Sequence, residues 1–146
     1  MMRWLLVLAL TLLMAPAGGA HTLGVDKADL IERESGSYHL ISRVPPKLQP
    51  LITAIELPAR CQLDGNPRGE RGAYEVRFAF SCSSPLIAGD DILLPWQREG
   101  TMLTVHWLGQ APITQFAARE GGLIRVELTD YLAGSGSLLG AAKRYT

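Results

Sequence analysis

The segment Tyr74 to Cys82 (YEVRFAFSC) constrains this chain more than any other. Tyr74, Val76, Phe78 and Phe80 alternate with Glu75, Arg77, Ala79 and Ser81, a period of two that places large apolar groups on one face and mostly polar groups on the other. That pattern belongs to a β-strand with one buried face. A helix would scatter the same residues around its axis.

The rest of residues 21–146 follows the same logic. Ala28 to Arg33 and Tyr38 to Val44 flank Glu34-Ser35-Gly36-Ser37, a hairpin signal with a glycine available for positive φ. In the second of these, Tyr38, Leu40, Ser42 and Val44 share a face, and Pro45-Pro46 ends the strand because neither proline donates to a ladder. Leu51 to Leu57 is a short apolar run that periodicity does not assign. Asp91 to Trp96, Met102 to Leu108, Ile113 to Arg119 and Leu123 to Leu128 read as further strands, with Gly121-Gly122 as a tight hairpin connection. About seven or eight short strands with regular turn signals predict an all-β, antiparallel, Ig-like β-sandwich. Trp96 and Trp107 fall on strands and are expected in its core. The domain is expected over 21–130. Residues 131–146 (YLAGSGSLLGAAKRYT) are small and polar enough to read as a flexible tail or linker.

Ahead of this domain, Arg3, the apolar run Trp4 to Met14, the helix breaker Pro16 and the small residues Ala17-Gly18-Gly19-Ala20 make up a signal peptide over 1–20. Its apolar run falls short of the ~20 residues that span a bilayer. The expected cut follows Ala20 and leaves His21 as the new N-terminus, with a cut after Ala17 as the alternative. The protein is therefore expected in the periplasm or on the extracytoplasmic face of a membrane.

Cys61 and Cys82 are the two cysteines of the chain, and an oxidising compartment favours a structural disulfide between them. A redox pair or a two-thiolate metal site would use closer spacing. The register makes a demand here. A plain hairpin across Gly65 to Gly72 would set Cys61 opposite Val76, some ~20 Å from Cys82 at strand rise. A disulfide spans only ~7 Å between Cα atoms. So either the bond does not form, or Cys61 leaves the ladder after Pro58 and the loop is not a plain hairpin; the second is expected.

Fourteen basic and fourteen acidic residues balance, which gives no electrostatic case for nucleic acid. No G-x-S-x-G, H-E-x-x-H, phosphate-binding loop or G-x-G-x-x-G occurs, so the protein is expected to be non-enzymatic, and no pattern identifies a small-molecule substrate. Asp90-Asp91 follows Gly89 and reads as a solvated turn rather than a calcium site. His39 and His106 sit mid-strand, and His106 reads as a hydrogen-bonded sheet residue. For His21 two readings stay open. A free α-amine beside its imidazole could chelate copper or nickel, or the residue is incidental to a frayed terminus.

Several pieces in order along the chain resemble the N-terminal extracytoplasmic region of HupE/UreJ-like membrane proteins, named for hydrogenase and urease accessory roles. They are the signal peptide ending in Ala20-His21, the element Leu30, Glu32, Gly36 and Tyr38 closing on Pro45, the Pro58-Ala59-Arg60-Cys61 segment, Cys82, and the tail Ala141-Ala142-Lys143-Arg144-Tyr145. The resemblance implies the soluble head of such a protein without its membrane helices. It also implies a binding or interaction role in the cell envelope tied to metal (nickel) uptake, with a membrane or envelope protein as partner. The alternative is a small periplasmic copper- or nickel-binding protein that uses His21.

Overall fold

Alternating apolar residues build a nine-stranded, all-β structure in the computed structural model, which describes residues 25–96 and 98–132. The expected signal peptide and His21 lie outside the described residues, as does the chain after Leu132. The strands are β1 (Val25–Glu34), β2 (Ser37–Arg43), β3 (Cys61–Asp64), β4 (Glu70–Arg71), β5 (Glu75–Cys82), β6 (Asp91–Leu93), β7 (Gly100–His106), β8 (Ile113–Ala118) and β9 (Arg125–Glu127). Seven of them form one sheet in the order β3-β5-β2-β1-β7-β8, with β4 also on β5, while β6 and β9 form a second, two-stranded sheet.

The core lies between the two sheets. Leu30, Tyr38, Leu40, Val76, Phe78, Phe80, Leu103 and Val105 from the large sheet meet Ile92, Leu94, Ile124, Val126 and Leu128 around the small one. Trp96 and Trp107 are buried as the sequence suggests, and each indole N–H has a partner: Trp96 donates to Thr101 Oγ1 at 3.0 Å and Trp107 to the Tyr131 carbonyl at 2.6 Å. An indole N–H buried without a partner would offset part of what burial of the ring gains.

The β1–β2 hairpin turns at Ser35-Gly36, with Gly36 at φ +82°. A Cβ there would come within 2.9 Å of the Cys82 carbonyl oxygen, and the Gly36 carbonyl accepts from the Cys82 N–H, so the turn is pressed against the end of β5.

Four expectations change. The pairing is not purely antiparallel, because β1 runs parallel to β7 from Val25↔Gly100 to Ile31↔His106, the long excursion through β2 to β6 serving as the crossover that parallel strands require. Tyr74 is not a core residue. It precedes β5 in the bend that turns the chain out of β4, and it is 73 % exposed. The packed domain does not stop at residue 130, since Tyr131 is buried and closes the 3₁₀ turn Leu128–Tyr131.

The fourth change concerns Gly121-Gly122. Both glycines have positive φ, and Glu120 and Leu123 exchange backbone hydrogen bonds across them, as a tight turn demands. Yet β8 and β9 do not pair as a hairpin. Ile124, Val126 and Leu128 carry the chain into the small sheet, where Val126 faces Ile92. Among the described residues, β8 is thereby left as the last strand of the large sheet.

Candidate functional site

Cys61 stands directly opposite Cys82 in the β3–β5 ladder, and the two are joined in a disulfide. The loop is not a plain hairpin, but Cys61 stays in the ladder. Asp64 faces Ala79 while Glu70 faces Arg77, so six steps on one side match two on the other, and the surplus bulges out between Gly65 and Gly69. The Ser83 N–H donates to the Arg60 carbonyl, which makes Cys61–Cys82 a non-hydrogen-bonded pair, the kind whose side chains approach most closely.

Just before Cys61, Arg60 organises the loop from Ser83 to Asp90. Its guanidinium donates to Asp90 Oδ1 at 2.7 Å, to Asp90 Oδ2, and to the carbonyls of Ser84 and Pro85 at 3.2 and 2.8 Å. Asp90 Oδ2 also accepts from the Ile87 N–H at 2.6 Å. Tyr38 completes the clamp, accepting from the Leu86 N–H at 2.9 Å and donating to Glu32 at 3.4 Å. Asp90 is thus not the solvated turn residue expected from Gly89-Asp90-Asp91. It does sit in a turn, but its side chain is only 10 % exposed. Asp91 is exposed and pairs with Arg125 at 3.3 Å.

Hydrogen bonds from Arg60 hold the Asp90 carboxyl below the usual range, against the opposing effect of burial. A carboxylate that ionises more readily folded than unfolded stabilises the fold fully above its unfolded value of 3.8, and that contribution disappears as pH falls through the lower folded value. Asp90→Asn should therefore destabilise the protein at pH 6 while flattening the loss of stability below about pH 4. Urea melts at pH 6 and pH 3 check both parts.

The two described histidines do not form a joint site. His39 and His106 lie on the outer face of the large sheet, in one row on either side of Ile31. Two strand spacings put them ~10 Å apart. His106 bonds Asp29 at 2.8 Å, the sheet role expected for it. Burial, then Arg33 and Arg77, push His39 below its ordinary pKa, which favours its neutral form. Among the described residues no three His, Cys, Asp or Glu side chains gather where they could hold a metal ion.

What the structure brings together instead is a strand edge and a groove. The Arg119 N–H donates to the Glu99 carbonyl, which fixes the hydrogen-bonding parity of the β7–β8 ladder: Ile113, Gln115 and Ala117 bond to β7, and Thr114, Phe116 and Ala118 turn their N–H and C=O groups outward. Thr104 and Thr114 touch through their hydroxyls at 2.8 Å, as a non-hydrogen-bonded pair should. Phe116 lies over Gly100 on the outer face and remains 53 % exposed, beside Met102. Below this edge runs a groove of about 280 Å³, with Ala117, Val126 and Tyr131 along it and Glu120, Arg125, Glu127 and Asp130 around it. Burial pushes the Tyr131 phenol up to about 12, so it stays protonated and donates to the Gln115 carbonyl at 3.3 Å.

Sequence reading did not find this surface. β8 (ITQFAA) carries no charge, which is unusual for an exposed edge and is the one local sign available. That it is an edge depends on where β9 goes. No family model, curated protein or solved structure matches this chain.

Proposed function

We propose that the chain is a non-enzymatic binding domain on the extracytoplasmic side of the cell envelope, and that the edge of β8 is its working surface. The observation that carries this reading is the uncharged, outward-facing backbone of Thr114, Phe116 and Ala118 beside the exposed Phe116 and Met102. Natural sheets blunt such an edge with charge, proline or a covering segment unless it is used. The opposite edge is treated differently: it is stapled by the disulfide and carries Asp64, Glu70 and Arg71. The disulfide suits an oxidising compartment, in keeping with the signal peptide. No helix among the described residues is long and apolar enough to cross a membrane. The resemblance to HupE/UreJ-like proteins adds a role beside metal (nickel) uptake, with a membrane or envelope protein as the partner.

The test is site-specific photo-crosslinking in the native host. A photoreactive residue at position 118, on the edge, should give a discrete adduct in the envelope fraction. The same residue at position 51, an exposed apolar site in the loop after β2, should give none. No adduct at 118, or the same adducts from both positions, would overturn the proposal.

A further inference from the structure

We infer that β8 takes up an extended, cationic peptide segment of a partner protein, which adds to the large sheet as a further strand. This rests on the binding-domain reading above and names its occupant. Three observations converge on it.

The first is the backbone. Thr114, Phe116 and Ala118 offer alternate donors and acceptors along one line, a row that another extended chain matches group for group. The second is shape. A strand laid beside β8 points every second side chain outward beside Phe116 and the others inward over the groove. A groove of about 280 Å³ holds side chains but sits at the lower limit of pockets that enclose a small molecule, ~300–1,000 Å³.

The third is charge. Among the described residues around the groove stand the carboxylates of Glu120 and Glu127 and one base, Arg125, which already pairs with Asp91. β8 itself is neutral. Inward-facing lysine or arginine fits both parts of this lining: the aliphatic stem lies over Ala117 and Val126, and the charged head reaches the carboxylates. A glutamate in the same place would meet like charge.

The probes are three ten-residue peptides: alternating Lys and Val, alternating Glu and Val, and the Lys–Val peptide with a central proline. Each is titrated by fluorescence anisotropy into the exported chain isolated from the envelope, with amide exchange followed by NMR. The Lys–Val peptide should bind saturably, at least tenfold more tightly than either of the others, and should slow exchange at Thr114, Phe116 and Ala118. Ala118→Pro removes an N–H that β7 does not use, so it should weaken binding at least tenfold with an unchanged melting temperature. Glu127→Lys should narrow the Lys-over-Glu preference.

Equal affinity for the Lys and Glu peptides, protection elsewhere in the chain, or indifference to Ala118→Pro would overturn the inference. So would a concentration-dependent dimer that protects the same three amides without peptide, which would assign the edge to a second copy of the chain. Crosslinked adducts at position 118 without peptide binding would sink this occupant and leave the binding-domain reading standing.

Discussion

Phe78→Ala is expected to cost about 3–5 kcal/mol, a large share of the roughly 5–15 kcal/mol by which an ordinary domain is stable. Phe78 occupies the middle of β5, faces Leu40 across the ladder to β2, and is fully buried. β5 is also the strand to which β2, β3 and β4 all pair, so it has little freedom to collapse into the space a lost ring would leave. Arg77, one residue earlier, points the other way. Its pair with Glu75 is long, at 3.6 Å, and both side chains are about half exposed. Solvent screens such a pair, so Arg77→Ala should cost less than about 1 kcal/mol. Denaturant melts of the two variants beside wild type measure the difference. Equal losses would mean that the facing of β5 is wrong.

That contrast also marks what could be read from residues alone. Burial alternates along β5 and β2 as the sequence pattern does, because a period-two pattern is a local property and a one-residue slip would expose every large side chain at once. The same pattern overreached by one residue. Tyr74 continues the alternation in the sequence but sits in a bend, where the face rule no longer applies. Alternation says which residues share a face only after the strand has begun.

Pairing across long separations was the harder part. Nothing near Arg60 announces that its guanidinium will close on Asp90, thirty residues later, or that Tyr38 will brace the same loop. These groups meet because the disulfide and the β3–β5 ladder bring the start of β3 beside the end of β5. The parallel β1–β7 pair is of the same kind, since it depends on the path of everything between the two strands. The groove was hidden for a related reason. Gly121-Gly122 specifies a tight turn, and a tight turn between two strands usually makes a hairpin. Here the apolar residues Ile124, Val126 and Leu128 gain more by covering the core than by pairing with β8, and the edge of β8 is the consequence.

Replacing Cys61 and Cys82 together by alanine should lower stability by about 3 kcal/mol, the chain-entropy value for a loop of this size. The bond joins residues separated by 21 positions, and most of its effect comes from restricting the unfolded chain. It has a local share as well. β3 is short, its Leu63 is only partly buried, and the bulge from Gly65 to Gly69 separates it from β4, so little besides the β5 ladder and the disulfide holds it in place. Release of Cys61 should therefore loosen Arg60 and, through it, the Ser83–Asp90 loop. Two measurements separate the shares. Denaturant melts of oxidised, reduced and double-alanine protein give the total, and reduced wild type should match the double variant within about 1 kcal/mol. Amide exchange at Ile87, whose N–H is held by Asp90, reports the local part and should speed up before global unfolding does. A double variant as stable as oxidised wild type, with Ile87 still protected, would mean that the ladder alone holds this edge.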